Sequence, residues 1–159
     1  MTPGTPPFPS SQAKNAIGIV AATVGLMEIE QSHNSGVQVR SEILMDRRGQ
    51  DKEICNVLAT IAFHIIKNGW RVRPGVVFES MVEMYVPNAK LPHVYFTAPF
   101  QWNDMGRVHL TEQDIFPLVA VPVSEAESQL AANDGGRELE SLWVSRGTDV
   151  LNWERESAA

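Results

Sequence analysis

The sequence predicts an α+β domain, with a central, mostly antiparallel or mixed sheet packed with one long helix and short C-terminal helices. Three observations carry this. Residues 51–68 hold an apolar stripe at helical spacing. Several short runs rich in β-branched residues are each stopped by proline or glycine. A helix-start signature follows one such run near the C-terminus. A chain of 159 residues has the length of one domain with a sizeable core, and 43% apolar against 20% charged residues sets it apart from disordered and membrane-embedded chains.

Residues 1–15 are proline-rich and are expected to form a disordered tail, leaving residues 16–159 as the domain. The apolar stretch 17–27 is too short to span a bilayer. Its proline-rich leader with one positive charge and its interruptions at Gly18 and Gly25 argue against a secretory signal. A buried strand with Ile17, Ile19, Val20 and Val24 is expected. Residues 37–45 alternate and then turn apolar, as a strand entering the core does, with Arg47-Arg48-Gly49 as its closing turn.

The core helix is expected over 51–68. Ile54, Val57, Leu58, Ile61, Ala62, Ile65 and Ile66 share one stripe, Asp51 can cap the free amides, and Gly69 stands where a left-handed C-cap is needed. Residues 76–85 fit a short helix or, over 76–78, a strand; a brief extended piece leading into a helical turn is the favoured reading. Residues 93–97 read as a strand stopped by Pro99. Residues 114–121 read as another, with Pro117 marking an edge or a bulge. Ser124 and Glu127 form a capping box, residues 133–136 break the helix that follows, and a second short helix from Arg137 presents Leu139, Leu142 and Trp143 on one side. These two helices are expected to close an edge of the sheet, with Val150, Leu151 and Trp153 packing back on the domain.

Thirteen basic against nineteen acidic residues give a net charge of -6. That balance argues against nonspecific binding to nucleic acid or to an anionic membrane and suits a basic protein partner. The single Cys55 excludes an intramolecular disulfide and fits a reducing, cytoplasmic compartment. Phosphate-binding and nucleophile-elbow motifs are missing from the sequence. His33, His64, His93 and His109 share no local ligand spacing with one another or with Cys55, so no metal and no cofactor is expected.

Two constellations carry possible chemistry. Cys55 with a histidine, or Glu79 and Glu83 four residues apart, would serve a small hydrolase. Against this, Cys55 flanks the apolar stripe, where a thiol acts as a small hydrophobe, and the glutamates suit a solvated helix face. Trp70, Trp102, Trp143 and Trp153 with Arg71, Arg73 and Arg107 are the residue types that anchor interfaces, with sealing of the C-terminal helices as the structural alternative for Trp143 and Trp153.

Three stretches together resemble the suppressor-of-fused-like domain family, found in many bacteria and as part of an animal Hedgehog-pathway regulator. They are IIKNGWRVRPGVVFE at 65–79, LPHVYFTAPFQW at 91–102, and VPVSEAESQLAANDGGRELESLWVSRGTDVLNWERES at 121–157. His93, Pro99, Pro122, Glu125 and Glu127 match the motifs; for His93 and Glu127 structural roles are the favoured reading. The resemblance implies an α+β domain without catalytic residues that binds other proteins; bacterial members are similar to immunity proteins that neutralise toxins. The large second domain of the animal protein is missing, so a Hedgehog role is not expected. The expected function is thus non-enzymatic protein binding, with immunity against a basic toxin as its expected form and Trp102, Asp104, Arg107 and His93 as partner-binding candidates. A small hydrolase and a scaffold self-associating through the Trp102 region stand as alternatives.

Overall fold

The structure, a computed structural model, describes residues 18–32, 38–49, 52–102, 104–111 and 113–159. The elements run β1 (Gly18–Ala22), β2 (Gln31–Ser32), β3 (Gln38–Val39), β4 (Ile43–Arg48), α1 (Glu53–Asn68), β5 (Val77–Phe78), β6 (His93–Thr97), β7 (Val108–His109), β8 (Asp114–Ile115), β9 (Leu118–Val123), α2 (Glu125–Asp134) and α3 (Arg137–Arg146). Five strands form one mixed sheet in the order β1-β4-β9-β6-β5, with β4 and β9 parallel and the other neighbours antiparallel. β2 with β3 and β7 with β8 make two small ribbons.

Strands β6 and β9 lie at the centre and are buried on both faces, which is why each reads as a continuous apolar run rather than an alternation. Their side chains still alternate in space. Val94, Phe96, Leu118 and Ala120 face α1, which contributes Ile54, Val57, Leu58, Ile61 and Ile65. Tyr95, Val119, Val121 and Val123 face the other way and meet Ala131, Leu139, Trp143 and Val150. The C-terminal helices therefore cover the second face of the sheet instead of closing an edge: a central strand with two apolar faces needs a layer on each.

Three expectations about the strands change. β1 is a half-exposed edge strand, not a buried one, with Val20 52% exposed and Val24, past the end of the strand, 97% exposed; a β-branched run does not show how many of its faces are covered. The run at 37–45 divides into β3 and β4, and β4 continues through Arg48, so the turn begins only at Gly49. Pro117 stands between β8 and β9, where no ladder donor is required. β9 then starts at Leu118 in the middle of the sheet.

α1 ends on Gly69 at φ 66°, in the left-handed conformation its position requires. Asp51, the expected cap, lies outside the described residues, as do Ile17, His33 and the tail 1–15; Lys52 occupies the N-cap position and makes no side-chain cap bond. Residues 77–85 follow the extended-then-turn reading: β5 leads into turns in which the Val86 amide donates to Val82 O at 2.9 Å. Cys55 is exposed, which corrects its placement as a small buried hydrophobe. One residue past Ile54, it is rotated about 100° away from the stripe and faces solvent.

The capping box forms as the sequence predicts, with the Glu127 amide donating to Ser124 Oγ at 3.1 Å and the Ser124 amide to Glu127 Oε2 at 2.9 Å. Glu127 is also fully buried, and its carboxylate accepts from Arg155 Nη1 at 2.8 Å, Arg155 Nη2 at 3.1 Å, Trp143 Nε1 at 2.9 Å and the Ala158 amide at 3.1 Å. Burial alone pushes its pKa up, but the Arg155 guanidinium and the surrounding donors outweigh that and hold the carboxyl below its usual range. A backbone contact completes this layer. Gly136 at φ 91° sits against Tyr95, where an added Cβ would meet the Tyr95 hydroxyl at 2.0 Å. Tyr95 and Thr97 both donate to Glu140 Oε1, at 2.8 and 2.6 Å.

Two outcomes follow from this packing. Glu127→Gln leaves Arg155 buried without its counter-charge, so it should destabilise the domain by about 3–5 kcal/mol and lower the melting temperature by roughly 6–20 °C. Because the folded pKa lies below the unfolded one, the contribution of Glu127 is complete above about pH 4.3 and is lost as pH falls through the folded value. A melt series from pH 7 to 3 should show an acid-side slope that the variant flattens; an unchanged melting temperature would refute the role given to this carboxylate. Second, the native protein should react with a thiol reagent at pH 8 about as fast as its unfolded form. Strong protection of Cys55 would contradict its exposure.

Candidate functional site

A cavity of about 610 Å3 opens at the end of the sheet where β4, β5 and β9 begin and β6 ends. Three connecting segments shape it. The first, from Gly69 to β5, brings Arg71, Val72, Arg73 and Pro74. The second, after β6, brings Pro99, Trp102, Met105 and Arg107. The third is Phe116-Pro117, ahead of β9.

The topology holds these segments in place through backbone bonds. The Gly75 amide donates to Phe96 O at 2.9 Å, and the Phe96 amide to Val76 O at 3.0 Å. On the other side the Phe116 amide donates to Arg40 O at 2.8 Å and the Leu118 amide to Glu42 O at 2.9 Å. Gly75, at φ 89°, lets the first segment approach Gly135 so closely that a Cβ would stand 2.3 Å from its carbonyl oxygen. Gln31 of β2 lines the wall, and its Oε1 accepts from the Val72 amide at 2.8 Å.

The lining is basic. It carries three arginines and no carboxylate among the described residues, on a chain whose net charge is -6. Arg107 also pairs with Asp114 across 3.5 Å at its rim. Arginines remain protonated at any working pH, so they bind and orient anions and do not act as acids or bases. Ser41 reaches the cavity, but no histidine lines it among the described residues. The arrangement suits recognition rather than proton transfer.

The structure brings two of the four partner-binding candidates, Trp102 and Arg107, to this cavity, with Arg71 and Arg73 from the same sequence constellation. Trp102 is half-buried against the second core layer, not fully exposed. Asp104 is exposed in the segment between them. His93 stands at the opposite end of β6 and is buried. Its Nδ1 accepts from the Ser80 amide at 2.9 Å, which leaves Nε2 as the donor to Glu125 Oε2 at 2.8 Å. Glu125 is held below its usual pKa by Gln129 and His93.

The remaining candidates disperse. Trp143 and Trp153 seal core layers, while Trp70 stacks on His64 with ring centroids 4.1 Å apart. Cys55, Glu79 and Glu83 are each exposed, and none lines the cavity. Among the described residues no group of three His, Cys, Asp or Glu side chains could hold a metal, and no helix is long and apolar enough to cross a membrane.

Sequence reasoning missed Gln31 and Glu42. Glu42 accepts from the Gly25 amide at 2.8 Å and the Met27 amide at 3.1 Å, and also bonds the Thr23 hydroxyl, so it fixes the turn after β1. Neither residue stands in a local motif; their partners are remote in sequence.

Comparison with known proteins places the chain in a family. The chain is 31% identical over 138 residues to immunity protein YqcF of Bacillus subtilis (strain 168), covering 86% of this chain and 72% of that one. Its fold is similar to that of a suppressor of fused homologue from Neisseria gonorrhoeae, with a TM-score of 0.67 at 15% identity over 88% of this chain and 70% of the other. It is also similar to a chain of the Sufu–Fu complex, with a TM-score of 0.57 at 17% identity over 79% of this chain and 62% of the other. The family model for suppressor of fused protein matches residues 14–156. The chain belongs to the suppressor of fused protein family.

Proposed function

We propose that this protein is a non-enzymatic immunity protein that neutralises a toxin by occupying its surface, in the cytoplasm. The observation that carries the reading is the likeness to YqcF, named an immunity protein, at 31% identity across most of both chains. The cavity supports it, since its chemistry is that of a recognition surface. The contact region proposed is the segment holding Trp102, Asp104 and Arg107; His93 contributes by fixing the start of β6 against Glu125. A net charge of -6 attracts a basic toxin at long range and raises the association rate at low salt. Residues 1–15 are proposed to be a tail outside the folded domain.

The test is co-expression with any toxin encoded beside the gene, then calorimetry on the purified pair. The expected result is rescue of growth and a complex whose association rate falls as salt rises from 0.1 M to 1 M, where the screening length drops from about 10 Å to about 3 Å. Trp102→Ala combined with Asp104→Lys should weaken the complex at least tenfold while the melting temperature stays within a few degrees. Failure to bind that toxin at any ionic strength would defeat the immunity reading. A truncation beginning at Asn15 should melt within a few degrees of the full chain; a large drop would show that the tail packs on the domain.

A further inference from the structure

We infer that the cavity receives a carboxylate-bearing segment of the protein partner: a short acidic peptide stretch with apolar neighbours. This rests on the protein-binding reading above and adds the chemistry of the epitope. The first support is sign. Arg71, Arg73 and Arg107 converge on one cavity with no lining carboxylate among the described residues, although the chain as a whole is acidic. Buried Val72 stands between Arg71 and Arg73, both exposed, so the segment anchors through Val72 and leaves the flanking guanidinium groups outside the core. Asp114, which pairs with Arg107 and His109, and exposed Asp104 are the acidic groups in the rim segments among the described residues. Arg73, exposed on the same segment as Val72, supplies a further positive charge.

The second support is a buried donor in the wall. Gln31 is 8% exposed, and its Oε1 is committed to the Val72 amide. That bond fixes the amide orientation and makes Nε2 a donor, which has no hydrogen-bond partner among the described residues. A buried donor without an acceptor is uncommon, and it marks a place where an acceptor is missing. A carboxylate is acceptor-only and fits a wall made of donors.

The third support separates a peptide from a phosphate. Trp102, Met105, Pro74, Pro99 and Pro117 form much of the wall, so the occupant must carry apolar groups beside its charge. Inorganic phosphate has none, and a nucleic acid, charged at every nucleotide, would meet far stronger repulsion from an acidic protein than a segment with one or two carboxylates. About 610 Å3 holds a segment of a few residues. Bidentate guanidinium–carboxylate pairing next to an indole face would then set register and orientation.

The probe is acetyl-Glu-Leu-Asp-Phe-amide, titrated into 15N-labelled full-length protein and followed by NMR. Saturable shifts of the Trp102 indole and Gln31 side-chain amide resonances are expected. The Gln/Asn counterpart of the peptide should bind at least tenfold more weakly. Arg73→Glu, at an exposed position, should abolish the shifts without changing the melting temperature, while Arg73→Lys retains part of the affinity. Equal binding of the neutral peptide, an unaffected Arg73→Glu variant, no shift at millimolar peptide, or tighter binding of inorganic phosphate or a short oligonucleotide would each overturn the inference. The toxin complex separates the two readings. A toxin that binds Arg73→Glu as tightly as the parent protein defeats the epitope and leaves the immunity reading intact. Peptide binding with no toxin binding does the reverse.

Discussion

The carboxylate of Glu127 lies where the start of α2, the indole of Trp143 on α3, and the C-terminal segment around Arg155 and Ala158 all meet. Fully removed from water, it can remain charged only because Arg155 and three further donors surround it. Arg155 in turn donates to Pro122 O at the end of β9, which ties the last residues of the chain to the central strand. The constraint is geometric as well as electrostatic. A buried pair tolerates one arrangement of its donors, so α2, α3 and the terminal segment are fixed together on one face of the sheet.

That layer leaves the other end of the sheet available for recognition. β6 is held on both sides, and Glu140 fixes Tyr95 and Thr97 near its end. The chain leaving Thr97 enters the segment that carries Trp102 and Arg107, so a rigid platform supports the cavity wall. The other walls begin at strand starts held by main-chain bonds to the same sheet. Loops that carry function are placed by the scaffold beneath them, and here the scaffold is braced from its opposite face. A binding surface built this way loses little ordering entropy when a partner arrives.

The local features of this architecture are readable in the sequence, and the remote ones are not. The α1 stripe, the Gly69 cap and the Ser124–Glu127 box each depend on residues within a few positions, so spacing alone reveals them. The burial of Glu127 depends on Trp143 and Arg155, which no window around α2 contains. β1 looked like core because its residues are β-branched, yet its place at the sheet edge is a property of strand order. Pro117 reads as an edge marker only while 114–121 is taken as one strand; the run divides into β8 and β9, and the proline stands between them. The arginine and tryptophan set was visible as a composition, and the convergence of Arg71, Arg73, Trp102 and Arg107 on one cavity required the topology.

The central claim is that a protein partner is held at this arginine-lined end of the sheet. Hydrogen exchange of the protein alone and in complex with the proposed toxin partner addresses that most directly. The account predicts new protection in residues 71–76 and 98–107, with no change along the outward face of α1, where Phe63 and Ile66 are exposed. Protection confined to that face of α1, with the cavity segments exchanging as in the free protein, would contradict it.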